Sequence, residues 1–223
     1  MIAFQHGCGG TAAFLIAFSE FIRMGVDLTT LALVGSVLGM LVGAVTFSGS
    51  LIAAGKLARK IEQRPVFLPG HLTILLGLLV LMVLLSVFAV VQIGLPIAIG
   101  SAIGLIVISV VMGVVFTIRI GGADMPVIIS FFNATAGFAA AFCGIALSNY
   151  LLIGCGACVA ASGSLLTITM CRAMNRSLLG VFSGIRPSIA EPAKLPEETS
   201  LEAGGIEASA FDRAVAALKR AKD

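Results

Sequence analysis

The chain has 223 residues, 59% of them hydrophobic and 11% charged, with a mean hydropathy of +1.12. That composition excludes an ordinary soluble globular domain and reads as an integral membrane protein. A formal net charge of +3 calls for no nucleic-acid partner, because the basic residues gather in the connections between apolar runs. The five cysteines, Cys8, Cys143, Cys155, Cys158 and Cys171, lie in or beside apolar segments and say little about redox compartment.

About 20 apolar residues are needed to cross the roughly 30 Å hydrocarbon core, and six such stretches are present, at approximately 2–22, 29–54, 72–93, 96–118, 125–147 and 150–171. The predicted fold is an all-α membrane bundle of about six transmembrane helices with a flexible cytoplasmic tail. The first stretch opens MIAFQHGCGG, with neither the basic start nor the small-residue cleavage site of a signal peptide. It carries His6 among Gly7, Cys8, Gly9 and Gly10. A histidine on an apolar face is commonly structural; inside a span it can also carry a proton near physiological pH, and its small neighbours leave room for water or a close helix.

The connection FIRMGVDLTT balances Arg23 against Glu20 and Asp27. In the second stretch Gly35, Gly39 and Gly43 form a GxxxG stripe, the pattern of close helix contact. GKLARKIEQRPVFLPGH follows, with Lys56, Arg59, Lys60 and Arg64 against Glu62, and is expected to stay cytoplasmic. Arg119 after the fourth stretch and Arg172 and Arg176 after the sixth fall on the same side. The turns QIGLP and SNY, on the opposite side, are uncharged. Both termini are therefore expected in the cytoplasm.

The fifth stretch begins GGADMPVIISFFN. Asp124 before Met125 and Pro126 is the chemistry of a helix start, a carboxylate at the N-cap with proline in the first turn. Asn133 stands nine residues further on, about 13 Å along a helix and near the membrane midplane. There its amide either bonds a neighbouring helix as structural glue or orders water along a proton or ion path. The Cys155–Cys158 pair sits in GCGACVAASGS, which reads as a small-residue packing stripe rather than a redox motif. No spacing suggests a metal site, a nucleophilic triad or a dinucleotide-binding turn.

Beyond Ser183 the chain turns rich in proline and glutamate, the composition of a linker. Phe211, Val215 and Leu218 then recur at helical spacing between Arg213, Lys219 and Arg220, a short amphipathic helix.

Residues 119–177, with GGADMPV, the asparagine seven residues past its proline, LSN-LLI, the small-residue helix and the closing MCRAMNRS, resemble the membrane domain of the β subunit of proton-translocating NAD(P) transhydrogenase. GAVTFSGSLIAAGKLARKI and the following LPG look like an earlier connection of the same subunit, and HGCGGTAAFL is similar to its histidine-bearing helix. The resemblance covers roughly residues 1–182. It implies proton movement across the inner (plasma) membrane coupled to hydride transfer from NADH to NADP+. By position it implies a proton path through His6 and Asn133 with Asp124 at the cytoplasmic mouth, and coupling to the nucleotide domain through Arg172 and Arg176.

It divides the chain into a transmembrane proton-translocating domain at 1–182, a linker at 183–206 and, at 207–223, the start of an NADP-binding domain that the sequence does not supply. A fragment or split gene product is the expected account. NADP and NAD would serve the complete complex and none would be bound by this chain alone. The implied partners are an NAD-binding α subunit, the NADP-binding domain, a second α–β unit and the lipid bilayer. Two other classes are a small secondary transporter, which would show an inverted repeat that is not evident here, and a structural membrane subunit without proton chemistry.

Overall fold

A computed structural model describes residues 1–24, 29–66, 70–91 and 95–183. The chain separates into two units, Met1–Ile185 and Arg186–Asp223. The second unit, and with it the expected linker and amphipathic helix, lies outside the described residues, as does Asp27.

The first unit is helical: α1 (Ile2–Met24), α2 (Thr30–Leu57), α3 (His71–Val91), α4 (Leu95–Ile118), a 3-10 turn (Gly122–Asp124), α5 (Met125–Ala146), α6 (Tyr150–Ala173) and a short α7 (Leu178–Ser183). Five of these, α2 to α6, are long and apolar enough to cross a membrane, which makes the chain a multi-pass membrane protein. At 23 residues α1 is as long as the others, but Gln5, His6, Glu20 and Arg23 keep its hydropathy lower. The helix bounds fall within three residues of the apolar stretches in the sequence.

Packing is organised around α2, which lies against α1, α4 and α5, while α5 pairs along its length with α6. Small residues make these approaches possible. A Cβ on Gly10 of α1 would come within 2.8 Å of the Gly43 carbonyl of α2, and one on Gly43 within 2.8 Å of the Phe14 nitrogen. Gly39 faces Ala17 and Cys143, and Gly35 faces Ile145 and Ala146, so the glycine stripe of α2 serves α1 at one end and α5 at the other.

The thiol of Cys143 donates to the Ala13 carbonyl across the α1–α5 contact (3.1 Å). The Thr46 hydroxyl joins that of Thr135 between α2 and α5 (2.9 Å). On α6 the packing stripe is Gly156, Ala160, Gly163, Thr167 and Cys171. Cys155 and Cys158 are exposed on the other face.

The short α7 closes on the bundle through apolar contacts. Val181 is fully buried, and the Phe182 ring stands edge-on to Phe131 of α5 and Phe116 of α4, with centroids 5.0 and 5.2 Å away. In contrast α3 buries only His71, Met82 and Ala89 and leaves most of its leucines and valines exposed. Such a helix is stable in lipid, where exposed hydrocarbon is in its own solvent.

Candidate functional site

Antiparallel connections bring the start of α1, the end of α2, the start of α5 and the end of α6 to one end of the bundle. A cavity of about 540 Å³ opens among them. Its walls are largely apolar: Ile2 from α1, Leu57 from α2, Met125, Pro126 and Ile129 from α5, Leu166 and Met170 from α6. Three polar side chains line it. His6 comes from the second turn of α1, and Ser130 and Asn133 come from one face of α5, three residues apart.

Of the residues singled out in the sequence, His6 and Asn133 are therefore brought to one space. Both are half-buried, and neither side chain makes a hydrogen bond within the described residues. The interhelical bond that one reading of Asn133 called for is absent among them; its amide faces the cavity instead.

Asp124 stands beside this space rather than in it, between the lining residues Gly122 and Met125. The expectation of an N-capping carboxylate needs correction. Asp124 occupies the cap position, and Pro126 falls in the first turn as expected, but the side chain makes no capping hydrogen bond. It receives the Arg176 guanidinium instead, Nε donating to Oδ1 at 3.2 Å and Nη2 to Oδ2 at 2.8 Å. The two side chains are 14% and 13% exposed. A bidentate, charge-assisted pair sheltered to this degree outweighs a single bond to a backbone N–H.

The end of α6 explains why Arg176, and not Arg172, reaches Asp124. Ser148, in the turn of the α5–α6 hairpin, is 24 residues from both 124 and 172, so counting along the helices puts 172 level with the aspartate. However, α6 closes in a Schellman turn. Asn175 takes a left-handed φ of 50°, and the Arg176 N–H returns to the Cys171 carbonyl (2.9 Å). Asparagine accepts that conformation more readily than most residues. The reversal carries Arg176 back toward α5, whereas Arg172 remains exposed and is not brought to the pair.

A second correction concerns Lys56. It belongs to the last turn of α2 rather than to the basic connection that follows, and it is fully buried. Its Nζ donates to the carbonyls of Ile118 (2.5 Å) and Ile120 (2.9 Å), at the end of α4 and just past it. Those carbonyls have no helical partner and carry the negative end of the helix dipole, so an ammonium suits them.

Gln63 extends the tie. Its side chain donates to the Lys56 carbonyl (3.1 Å), and its own carbonyl accepts the Gly122 N–H (3.0 Å). The 3-10 turn that presents Asp124 is thereby fixed to the end of α2.

Sequence reading therefore missed Lys56, Gln63 and Ser130, and it found Asp124 and Arg176 without their pairing. The hairpin count above brings the end of α6 level with Asp124 but points to Arg172; the turn at Asn175 is what selects Arg176. Nothing in the local sequence distinguishes Lys56 from Lys60. Among the described residues no group of three histidine, cysteine or acidic side chains is placed to hold a metal.

Residues 1–223 match the family model described as NAD(P) transhydrogenase beta subunit. Two curated relatives named NAD(P) transhydrogenase subunit beta, one from Rhodospirillum rubrum and one from a strain of that organism, are each 38% identical over 222 residues, 95% of this chain and 47% of the relative. The chain spans about half the length of the curated relatives it matches.

Proposed function

Because the chain belongs to the family of NAD(P) transhydrogenase beta subunits, we propose that residues 1–182 are the proton-translocating membrane part of such an enzyme, coupling proton movement to hydride transfer from NADH to NADP+. The observation that carries this reading is the convergence of His6 and Asn133, from different helices, on one largely apolar cavity. In that setting the imidazole is the group able to take and release a proton near neutral pH. The Asn133 amide, both donor and acceptor, orders the water that brings the proton to it.

Asp124 marks the cytoplasmic mouth, and its pairing with Arg176 supports a role for the Arg172–Arg176 segment in coupling. The bond ties the start of α5, which lines the cavity, to the chain leaving α6. A proton at His6 that favours one arrangement of α5 also favours one arrangement of Arg176, and by linkage the nucleotide domain's state feeds back on proton affinity. Arg172, exposed at the same end, is available to a docking partner.

In this proposal hydride transfer belongs to the complete complex, in the inner (plasma) membrane with both termini cytoplasmic. NADP and NAD are bound by an NADP-binding domain and an NAD-binding α subunit, none by this chain alone, and the complex is a dimer of α–β units. Residues 183–206 act as the linker and 207–223 as the beginning of the NADP-binding domain.

The test is made in the complete enzyme. His6→Ala and Asn133→Ala should each suppress proton-coupled turnover while hydride exchange between bound nucleotides continues. Coupled turnover at the unsubstituted rate in both variants would remove the proton-path reading.

A further inference from the structure

We infer that Ser130 is a positioning residue of the same cavity, holding a water between the Gly122 end and Asn133. The inference rests on the proton-path reading above. Residues three apart share a helix face, so Ser130 lies beneath Asn133, about 4.5 Å nearer the start of α5 along the axis. It is 3% exposed and lines the cavity.

Serines and threonines elsewhere in the bundle also bond back to their own helices: Ser36 to Ala32, Ser48 to Ala44, Thr167 to Gly163. Back-bonding alone therefore marks nothing. Of these side chains, Ser130 is the one that also lines the largely apolar cavity.

Its chemistry there is one-sided. The hydroxyl proton is given to the Val127 carbonyl (2.8 Å), which leaves the oxygen lone pairs as the only capacity directed elsewhere. A water beside Ser130 must then point one of its hydrogens at Oγ, and its remaining hydrogen and lone pairs are left for neighbouring waters and Asn133. No proton leaves the serine. Its contribution is to orient a water in a lining made mostly of methionine, proline, isoleucine and leucine side chains, where hydrogen-bond acceptors are scarce. At about 30 Å³ per molecule, the cavity has room for several waters.

The complete enzyme in liposomes provides the measurement. Ser130→Ala should slow proton-coupled turnover roughly tenfold and raise its solvent deuterium isotope effect, because delivery of the proton by a water no longer held in place becomes more rate-limiting. Hydride exchange between bound nucleotides and the melting temperature should be unchanged. Ser130→Thr, which keeps the hydroxyl, should retain more than half the coupled rate. A full coupled rate in Ser130→Ala, with His6→Ala and Asn133→Ala suppressed, would overturn the role of Ser130 and leave the path standing. Full rates in all three would overturn both. Parallel losses of turnover and melting temperature in the Ala and Thr variants would make Ser130 a packing residue and also overturn the proposal.

Discussion

Arg176 and Lys56 are both cations at the same end of the bundle, and they differ in what a substitution leaves behind. Removing the guanidinium strands a sheltered carboxylate, so Arg176→Gln should lower stability by about 2–4 kcal/mol, near the range for breaking a buried ion pair. Arg176→Lys keeps the charge but loses the fork that meets both Asp124 oxygens, and should fall between. Thermal unfolding in detergent, with Asp124→Asn to close a double-mutant cycle, measures the pair; additivity of the two single changes would show that it contributes nothing.

Lys56→Met retains the buried stem and removes the two bonds to the Ile118 and Ile120 carbonyls. The Ile118 carbonyl keeps the Val66 N–H (3.3 Å), but the Ile120 carbonyl loses its lysine donor at a cost of about 1–3 kcal/mol, and the 3-10 turn carrying Asp124 should loosen with it, seen as faster amide hydrogen exchange at Gly122 and Asp124. At this scale the sequence was legible where polarity was out of place, as at His6 and Asn133. It was illegible where a charge looked at home: Lys56 sits among basic residues that face water, and only the turn ending α2 shows that it points inward.

Among the elements, the α5–α6 hairpin depends most on missing side chains. A Cβ on Gly156 would approach the Ala141 nitrogen to 2.5 Å and one on Gly163 the Ala134 nitrogen to 2.6 Å, whereas Gly154 has open space. Gly156→Val should therefore separate the hairpin and lower the melting temperature sharply, while Gly154→Ala should leave it equal or slightly higher, since alanine favours helix. Equal melting temperatures for the two would contradict the packing described. The helices themselves were readable because hydropathy sets their length and turn residues their ends. The stripe on α6 was readable as small, but not the face it occupies: Gly156, Ala160 and Gly163 make the contact, and Cys155 and Cys158 turn away from it.

For the whole molecule, charge and packing divide the bundle along two directions. The basic connections, the cavity and the Asp124–Arg176 pair share one end. The exposed hydrocarbon of α3 lies along its flank. The proposed orientation predicts that Arg64→Cys reacts with a membrane-impermeant maleimide in inverted vesicles and is protected in right-side-out ones, with Arg23→Cys behaving in the opposite way. The reverse pattern would invert the topology and with it the side from which the cavity is reached.

The first turns of α5 are held at both ends, at Asp124 by the guanidinium of Arg176 and at Thr135 by the hydroxyl of Thr46. Ser130 and Asn133 ride on the stretch suspended between these anchors. A beam fixed in this way does not slide along its axis; it can only twist or bow. Reshaping the cavity thus falls to torsion of that stretch, which would swing Asn133 sideways without changing its depth, because α1 is itself caught on α5 by the Cys143 thiol at the Ala13 carbonyl. Such a swing would alter the alignment of Asn133 with His6, the two groups on which the proposed proton path depends.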